Sequence, residues 1–134
     1  MMMLFDAANR DVCVARRGAT NTPLQALVLL NDPQFVEASR VLAERSMDHG
    51  GSTPDEQIAH AFKSLASREP TDREARLLGD LFAEELAGFE EADARLLIGI
   101  GDAPTREDID PVRLAAMTMV CSTILNSDAA VMRR

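Results

Sequence analysis

Pairs of a polar residue and a proline punctuate this sequence and constrain its fold more than any other feature. The pairs are Thr22-Pro23, Asp32-Pro33, Thr53-Pro54 and Asp110-Pro111. Thr and Asp are favoured helix N-caps, and proline suits the first helical position because its missing N–H would be unpaired there anyway. Each pair therefore predicts the start of a helix.

Reciprocal capping boxes strengthen three predicted starts. The pattern is a Thr followed three residues later by Gln or Glu, and it occurs at Thr22–Gln25, Thr53–Glu56 and Thr71–Glu74. In such a box the Thr hydroxyl accepts the third residue's backbone N–H, and the Gln or Glu side chain reaches back to the N–H of the Thr. The boxes predict well-defined starts for the first, third and fourth helices.

Apolar residues at helical spacing follow each start and predict about five helices. The expected helices cover 22–31, 33–47, from 53 to just before Pro70, from 71 onward, and 110–126. Residues 93–100 fit either a continuation of the fourth helix or a separate turn. The last helix is apolar nearly all round, so we expect it to lie at the centre of the fold. The polar tail 127–134 is expected to fray.

The composition supports an all-α fold. Hydrophobic residues make up 46% of the 134, whereas aromatic residues make up only 4%. A core of Leu, Ile, Val, Ala and Met favours helices, since aromatic and β-branched residues are the strand formers. We predict one helical domain over 1–134, an irregular bundle over 22–134 preceded by a less regular N-terminal arm over 1–21.

The charge of the chain excludes some classes of partner. Its net charge is −8, which repels phosphate backbones and argues against nucleic-acid binding. The most apolar stretch, 112–125, is too short for a membrane span and contains Arg113. The first ten residues do not have the pattern of a signal peptide. A complete chain of this kind would be cytoplasmic.

The residues predict no catalytic constellation, cofactor site or metal site. His49 and His60 are isolated from each other, and a metal ligand set needs further ligands at suitable spacing. Cys13 and Cys121 permit a single disulfide, although the apolar surroundings of Cys121 favour a buried thiol. We therefore expect no cofactor, and we do not expect this chain alone to be an enzyme.

A basic cluster before the first helix is the most unusual local chemistry in this acidic chain. Its residues are Arg10, Arg16, Arg17, Thr20, Asn21 and Thr22. The cluster precedes a helix N-terminus, which attracts anions, so it could bind an anion or the carboxylates of a partner. Alternatively, the arginines pair with acidic residues of this domain and fix the arm in place. The sequence favours the structural role.

The same region carries a resemblance to a known family. Arg16-Arg17 and the run 20–38, which begins Thr-Asn-Thr-Pro-Leu-Gln-Ala-Leu, closely resemble domain of unknown function 1553, a planctomycete family. Further similar positions are Phe5-Asp6, residues 10–13, residues 68–71 with Glu74, Asp110-Pro111, residues 114–116 and residues 123–126. The chain departs from the family at Met117, where a Trp is expected, and after Asn126.

The resemblance implies a larger parent protein and no established activity. Members form the C-terminal part of large, usually exported proteins that often carry a cytochrome-c-like domain. By comparison this chain begins inside the domain, which predicts a C-terminal fragment that packs against a missing N-terminal region. An export or cell-envelope location would follow for such a parent.

Three functional hypotheses follow. The first is a non-enzymatic helical interaction module whose first helix contacts the missing region of the domain or another protein. The second is an enzyme active site that the missing region completes around Arg16, Arg17, Thr20 and Asn21. The third is a partner of the cytochrome-c-like domain in redox work.

Overall fold

The computed structural model describes residues 23–131 of the chain, and over this range the fold is all-α, as predicted. Its helices are α1 (Pro23–Asn31), α2 (Pro33–His49), α3 (Pro54–Ala66), α4 (Asp72–Gly88), α5 (Glu91–Ile98), α6 (Pro111–Leu125) and α7 (Asp128–Val131). The five predicted helices correspond to α1, α2, α3, α4 and α6. The predicted arm over 1–21 lies outside the described residues.

Side-chain caps begin the helices at the predicted positions. The hydroxyl of Thr53 accepts the backbone N–H of Glu56 at 3.3 Å, and the Glu56 carboxylate accepts the N–H of Thr53 at 3.0 Å. Thr71 and Glu74 make the same pair of bonds at 3.4 and 2.8 Å. Both capping boxes are thus confirmed, whereas the box predicted at Thr22 falls outside the described residues.

The two aspartate–proline pairs also begin helices as expected. The Asp32 carboxylate accepts the backbone N–H of Gln34 at 3.0 Å, and that of Asp110 accepts the N–H of Val112 at 3.4 Å. Each bond satisfies one of the donors that a helix start leaves unpaired. These caps fix where α2 and α6 enter the bundle.

Two short helices complete the fold. The segment after α4 is a separate helix, α5, because the chain turns extended at Phe89 (φ −73°, ψ 129°) directly after Gly88. The tail contains α7, where fraying was expected. Ser127 donates its backbone N–H to Ile124, and Ala129 packs against the core.

The predicted central helix, α6, is the centre of the core. It packs against α2, α3, α4 and α5. Its buried residues are Leu114, Ala115, Ala116, Met117, Thr118, Val120, Cys121, Ser122 and Ile124. Burial on all sides explains why this helix is apolar nearly all round. The surrounding helices contribute further buried side chains, among them Ile58, Phe62, Leu78 and Phe82.

Candidate functional site

The predicted basic cluster lies outside the described residues. Its members are Arg10, Arg16, Arg17, Thr20, Asn21 and Thr22, whereas the description of the chain begins at Pro23. Whether these side chains converge on one site therefore stays a prediction. The structure instead shows the helix that directly follows the cluster.

Helix α1 exposes an apolar surface, which we call the leucine surface and define as Leu24, Leu27 and Leu30. These side chains are 54%, 56% and 46% exposed, whereas Leu29 is buried. Residues three apart fall on the same side of a helix at 3.6 residues per turn, and Leu29 falls on the opposite side. Helix α1 therefore contacts α2 and α6 with one side and leaves an apolar side open.

The chemistry of α1 differs from that of the rest of the molecule. Its sequence, PLQALVLLN, has no charged residue, although the whole chain carries a net charge of −8. The leucine surface thus presents apolar side chains on a helix that adds no charge of its own. Burying an unpaired charge against this surface would be costly.

A second feature is a polar stripe on α2, which we call the clasp and define as Glu37, Arg40, Glu44 and Asp48. Their spacing of three, four and four residues places them on one face. The Arg40 side chain is only 1% exposed and pairs with Glu44 at 2.6 Å. The sequence did not predict this feature, since helical spacing of apolar residues identifies only the apolar side of α2.

The clasp contacts the loop between α5 and α6. Arg40 donates to the backbone carbonyls of Ala103, at 2.9 Å, and Pro104, at 3.4 Å. The Glu37 carboxylate accepts the N–H of Ala103 at 2.5 Å. Farther along, Arg106 pairs with both Asp48 and Asp108. Two hydrogen bonds raise the pKa of Arg106 above its ordinary value, and the bond to Asp108 has a larger effect than the bond to Asp48.

Two grooves open on the surface of the bundle. One, of about 410 Å³, lies between α3 and α4 and includes Ile58, Ala59 and the exposed Asp55 and Asp80 on its walls. The other, of about 510 Å³, lies beside the loop before α6 and is lined by Arg95, Ile98, Thr105, Arg106, Glu107, Ile109 and Pro111. Both arginines already pair with carboxylates of this chain, so the second groove does not present them unpaired to a ligand.

Two other side chains that could react, those of Cys121 and His60, are buried and half-buried in the bundle. The thiol of Cys121 is free and buried, and burial raises its pKa to about 12. It therefore stays protonated near neutral pH and is a poor nucleophile. Half-buried His60 lies 3.2 Å from the Ser46 hydroxyl. Between residues 23 and 131, no group of three His, Cys, Asp or Glu is arranged to hold a metal ion.

None of the helices described is long and apolar enough to cross a bilayer. Over the described residues the protein is thus a small all-α protein that exposes an apolar surface on α1. The sequence profile of a family described as "PSD1: Protein of unknown function (DUF1553)" matches residues 1–82, which is more than half of the chain. The chain belongs to this family. No curated protein and no solved structure matches it.

The match and the resemblance agree on the first part of the chain. Residues 1–82 include the run at 20–38 and the positions around Arg68 to Glu74. The similar positions at Asp110-Pro111, 114–116 and 123–126 lie beyond the match. The family description assigns no activity, so it brings no functional residue to this chain.

Proposed function

We propose that this chain is a non-enzymatic interaction module, the C-terminal part of a larger DUF1553 domain, and that α1 is the helix by which it contacts the preceding part. The observation that carries the proposal is the leucine surface. Isolated exposed apolar residues are ordinary. Three on the same side of a helix that has no charged residue form a continuous surface of the kind that partners cover.

The small free energy that covering this surface can provide favours a partner in the same polypeptide. Full burial of a leucine is worth about 1.5–3 kcal/mol, so covering three half-exposed leucines is worth about 2–4 kcal/mol. Association of two separate proteins costs roughly 4–15 kcal/mol in lost translational and rotational freedom. The leucine surface alone is too small to hold a separate partner, whereas a covalently linked segment avoids most of that cost.

The experiment begins with the reading frame upstream of Met1. We expect an in-frame extension that encodes the rest of a DUF1553 domain. The parent protein and the 134-residue chain are then each produced with Leu27→Asp, and their urea unfolding is compared. Because Leu27 is covered only in the parent, the substitution is expected to destabilise the parent by about 1–2 kcal/mol more than the chain.

The matched control is Leu96→Asp. Leu96 is 73% exposed on α5, so this control introduces the same charge into another helix away from the proposed contact. It is expected to have equal effects in the parent and in the chain. The proposal is wrong if no DUF1553-like extension precedes Met1, or if Leu27→Asp also has equal effects in both proteins.

The two other hypotheses concern the parent and rest on the resemblance. A shared active site would require Arg16, Arg17, Thr20 and Asn21 to converge with residues of the missing region. A redox role would require a cytochrome-c-like domain in the parent, which heme titration of the parent would detect. The inferred planctomycete origin has the same basis, and the upstream reading frame would test it together with the domain organisation.

A further inference from the structure

The loop that crosses the clasp is held mainly by polar contacts. None of the residues 99–110 is buried, and only Ile100, Ala103, Arg106 and Ile109 are half-buried. A segment that buries little apolar surface opens at a lower free energy than the whole domain. The hydrogen bonds of the clasp therefore contribute a large share of what keeps this loop closed.

Those contacts lie at both ends of one stripe. Glu37 and Arg40 hold the backbone of Ala103, and about two helical turns farther along α2, Asp48 holds the side chain of Arg106. Arg106 also pairs with Asp108 in the same loop. Only Pro104 and Thr105 separate Ala103 from Arg106 along the chain.

The closed arrangement leaves one donor unpaired. The Nε atom of Arg40 is buried and has no hydrogen-bond partner, although its two terminal nitrogens are bonded. A buried donor without a partner destabilises the state that buries it. Opening of the loop would admit water to this atom and would partly offset the loss of the other bonds.

We propose that residues 101–108 form a strap that opens and closes over the clasp as one unit while the helical bundle stays folded. The hydrogen bonds of the clasp to Ala103 and Pro104 go to backbone atoms, with Arg40 as donor to two carbonyls and Glu37 as acceptor of one N–H. The open strap thus uncovers the groups of α2 that bind main-chain atoms of the loop. In the closed state the chain's own loop occupies them.

The test is native-state hydrogen exchange of the 134-residue chain, which reads the opening of each segment separately. Arg106→Gln removes the attachment at Asp48 without touching Ala103. If the strap moves as one unit, the amide of Ala103 exchanges at least tenfold faster in this variant. The amides of residues 114–124 in α6 keep their protection, because the bundle stays folded.

Two further variants make the result specific. Arg95→Gln makes the same chemical change in an arginine that pairs with Glu91 on α5, and it is expected to leave the exchange of Ala103 unchanged. Arg106→Lys keeps a positive charge beside Asp48 and is expected to show a smaller acceleration than Arg106→Gln.

Unchanged exchange of Ala103 in Arg106→Gln would show that the two ends act independently. Equal acceleration in α6 would show that the loop opens only when the bundle unfolds, and either outcome overturns the proposal.

Discussion

Gly101 allows the strap to lie close to α2. Its φ is +106°, a conformation that L residues with a side chain rarely adopt, and an added Cβ would overlap the carboxyl group of Glu37. We expect Gly101→Ala to destabilise the protein by about 1–2 kcal/mol, since it adds both backbone strain and a steric clash. Urea unfolding monitored by circular dichroism measures the change.

Gly88 provides a matched control for that substitution. It is the last residue of α4, and a Cβ added there meets no atom within 4 Å. Gly88→Ala is expected to be neutral, or to stabilise the protein by up to about 1 kcal/mol through a lower entropy of the unfolded chain. Similar destabilisation by both substitutions would contradict a specific requirement for glycine at position 101.

Glu74 makes part of the stability depend on pH. Hydrogen bonds lower the pKa of Glu74 from an ordinary value of 4.5 to about 2. The bond from Arg68 has the largest effect, and the bond from the backbone N–H of Thr71 has the next largest. A carboxylate with a lowered folded-state pKa stabilises the fold fully above its unfolded-state pKa, and this contribution disappears as pH falls through the folded-state pKa. The contribution of Glu74 should therefore be lost between about pH 4.5 and pH 2.

Glu74→Gln isolates this contribution. At pH 7 we expect the variant to be less stable by about 0.5–1 kcal/mol, the usual scale for a partly exposed ion pair. The difference from the unmodified chain should shrink below pH 4.5 and vanish near pH 2. Urea midpoints measured from pH 2 to pH 7 test this, with Glu84→Gln, an exposed acid on the same helix, as the control. A difference that does not depend on pH would contradict it.

At the scale of single elements, α6 should be the helix least tolerant of change. Leu114 is fully buried at its N-terminal end, and truncation of a buried leucine to alanine typically costs about 2–5 kcal/mol. We expect Leu114→Ala to fall in that range. Leu96→Ala, on the exposed side of α5, should change the free energy of unfolding by less than about 0.5 kcal/mol. Comparable losses for the two variants would show that the core is not centred on α6.

Local signals made most of the helix boundaries predictable. The caps at Asp32, Thr53, Thr71 and Asp110 act within three residues of themselves, so the sequence alone identifies them. The interruption between α4 and α5 was left open because Gly88 weakens a helix without fixing where it ends. The ends of elements thus follow from the sequence wherever the residues that satisfy the backbone are neighbours along the chain.

The clasp shows why the rest was not predictable. Arg40 is buried because backbone carbonyls more than 60 residues away in the sequence accept its hydrogen bonds. The helical periodicity of α2 does not indicate these distant acceptors. A charged residue is almost never fully buried without such partners. The sequence alone therefore predicts that the Arg40 side chain is exposed. For α1, the family resemblance predicts a helix that contacts the missing region, whereas the exposure of its leucines depends on how α1 packs on α2 and α6.

At the scale of the whole molecule, the family match and the core do not end at the same place. The match ends at residue 82, inside α4, whereas the helix with the most buried residues, α6, begins at Pro111. The inner faces of α2, α3 and α4 all pack against α6. The matched part therefore contributes the outer helices of a bundle whose centre lies beyond it.

This arrangement predicts that the family-matched part cannot fold alone. A chain truncated after Gly88 keeps α1 to α4 but exposes the apolar side chains that α6 covers, among them Ile58, Phe62, Leu78 and Phe82. Burial of apolar surface is the main favourable term in folding, so we expect no cooperative urea transition and strong binding of the dye ANS. Truncation after Asn126, which removes α7 but keeps α6, should retain a cooperative transition at a lower urea midpoint. If the chain of residues 1–88 unfolds cooperatively near the midpoint of the full chain, the matched part is self-sufficient and α6 is an addition to it. If only the chain that ends at Asn126 unfolds cooperatively, the structural unit extends at least through α6.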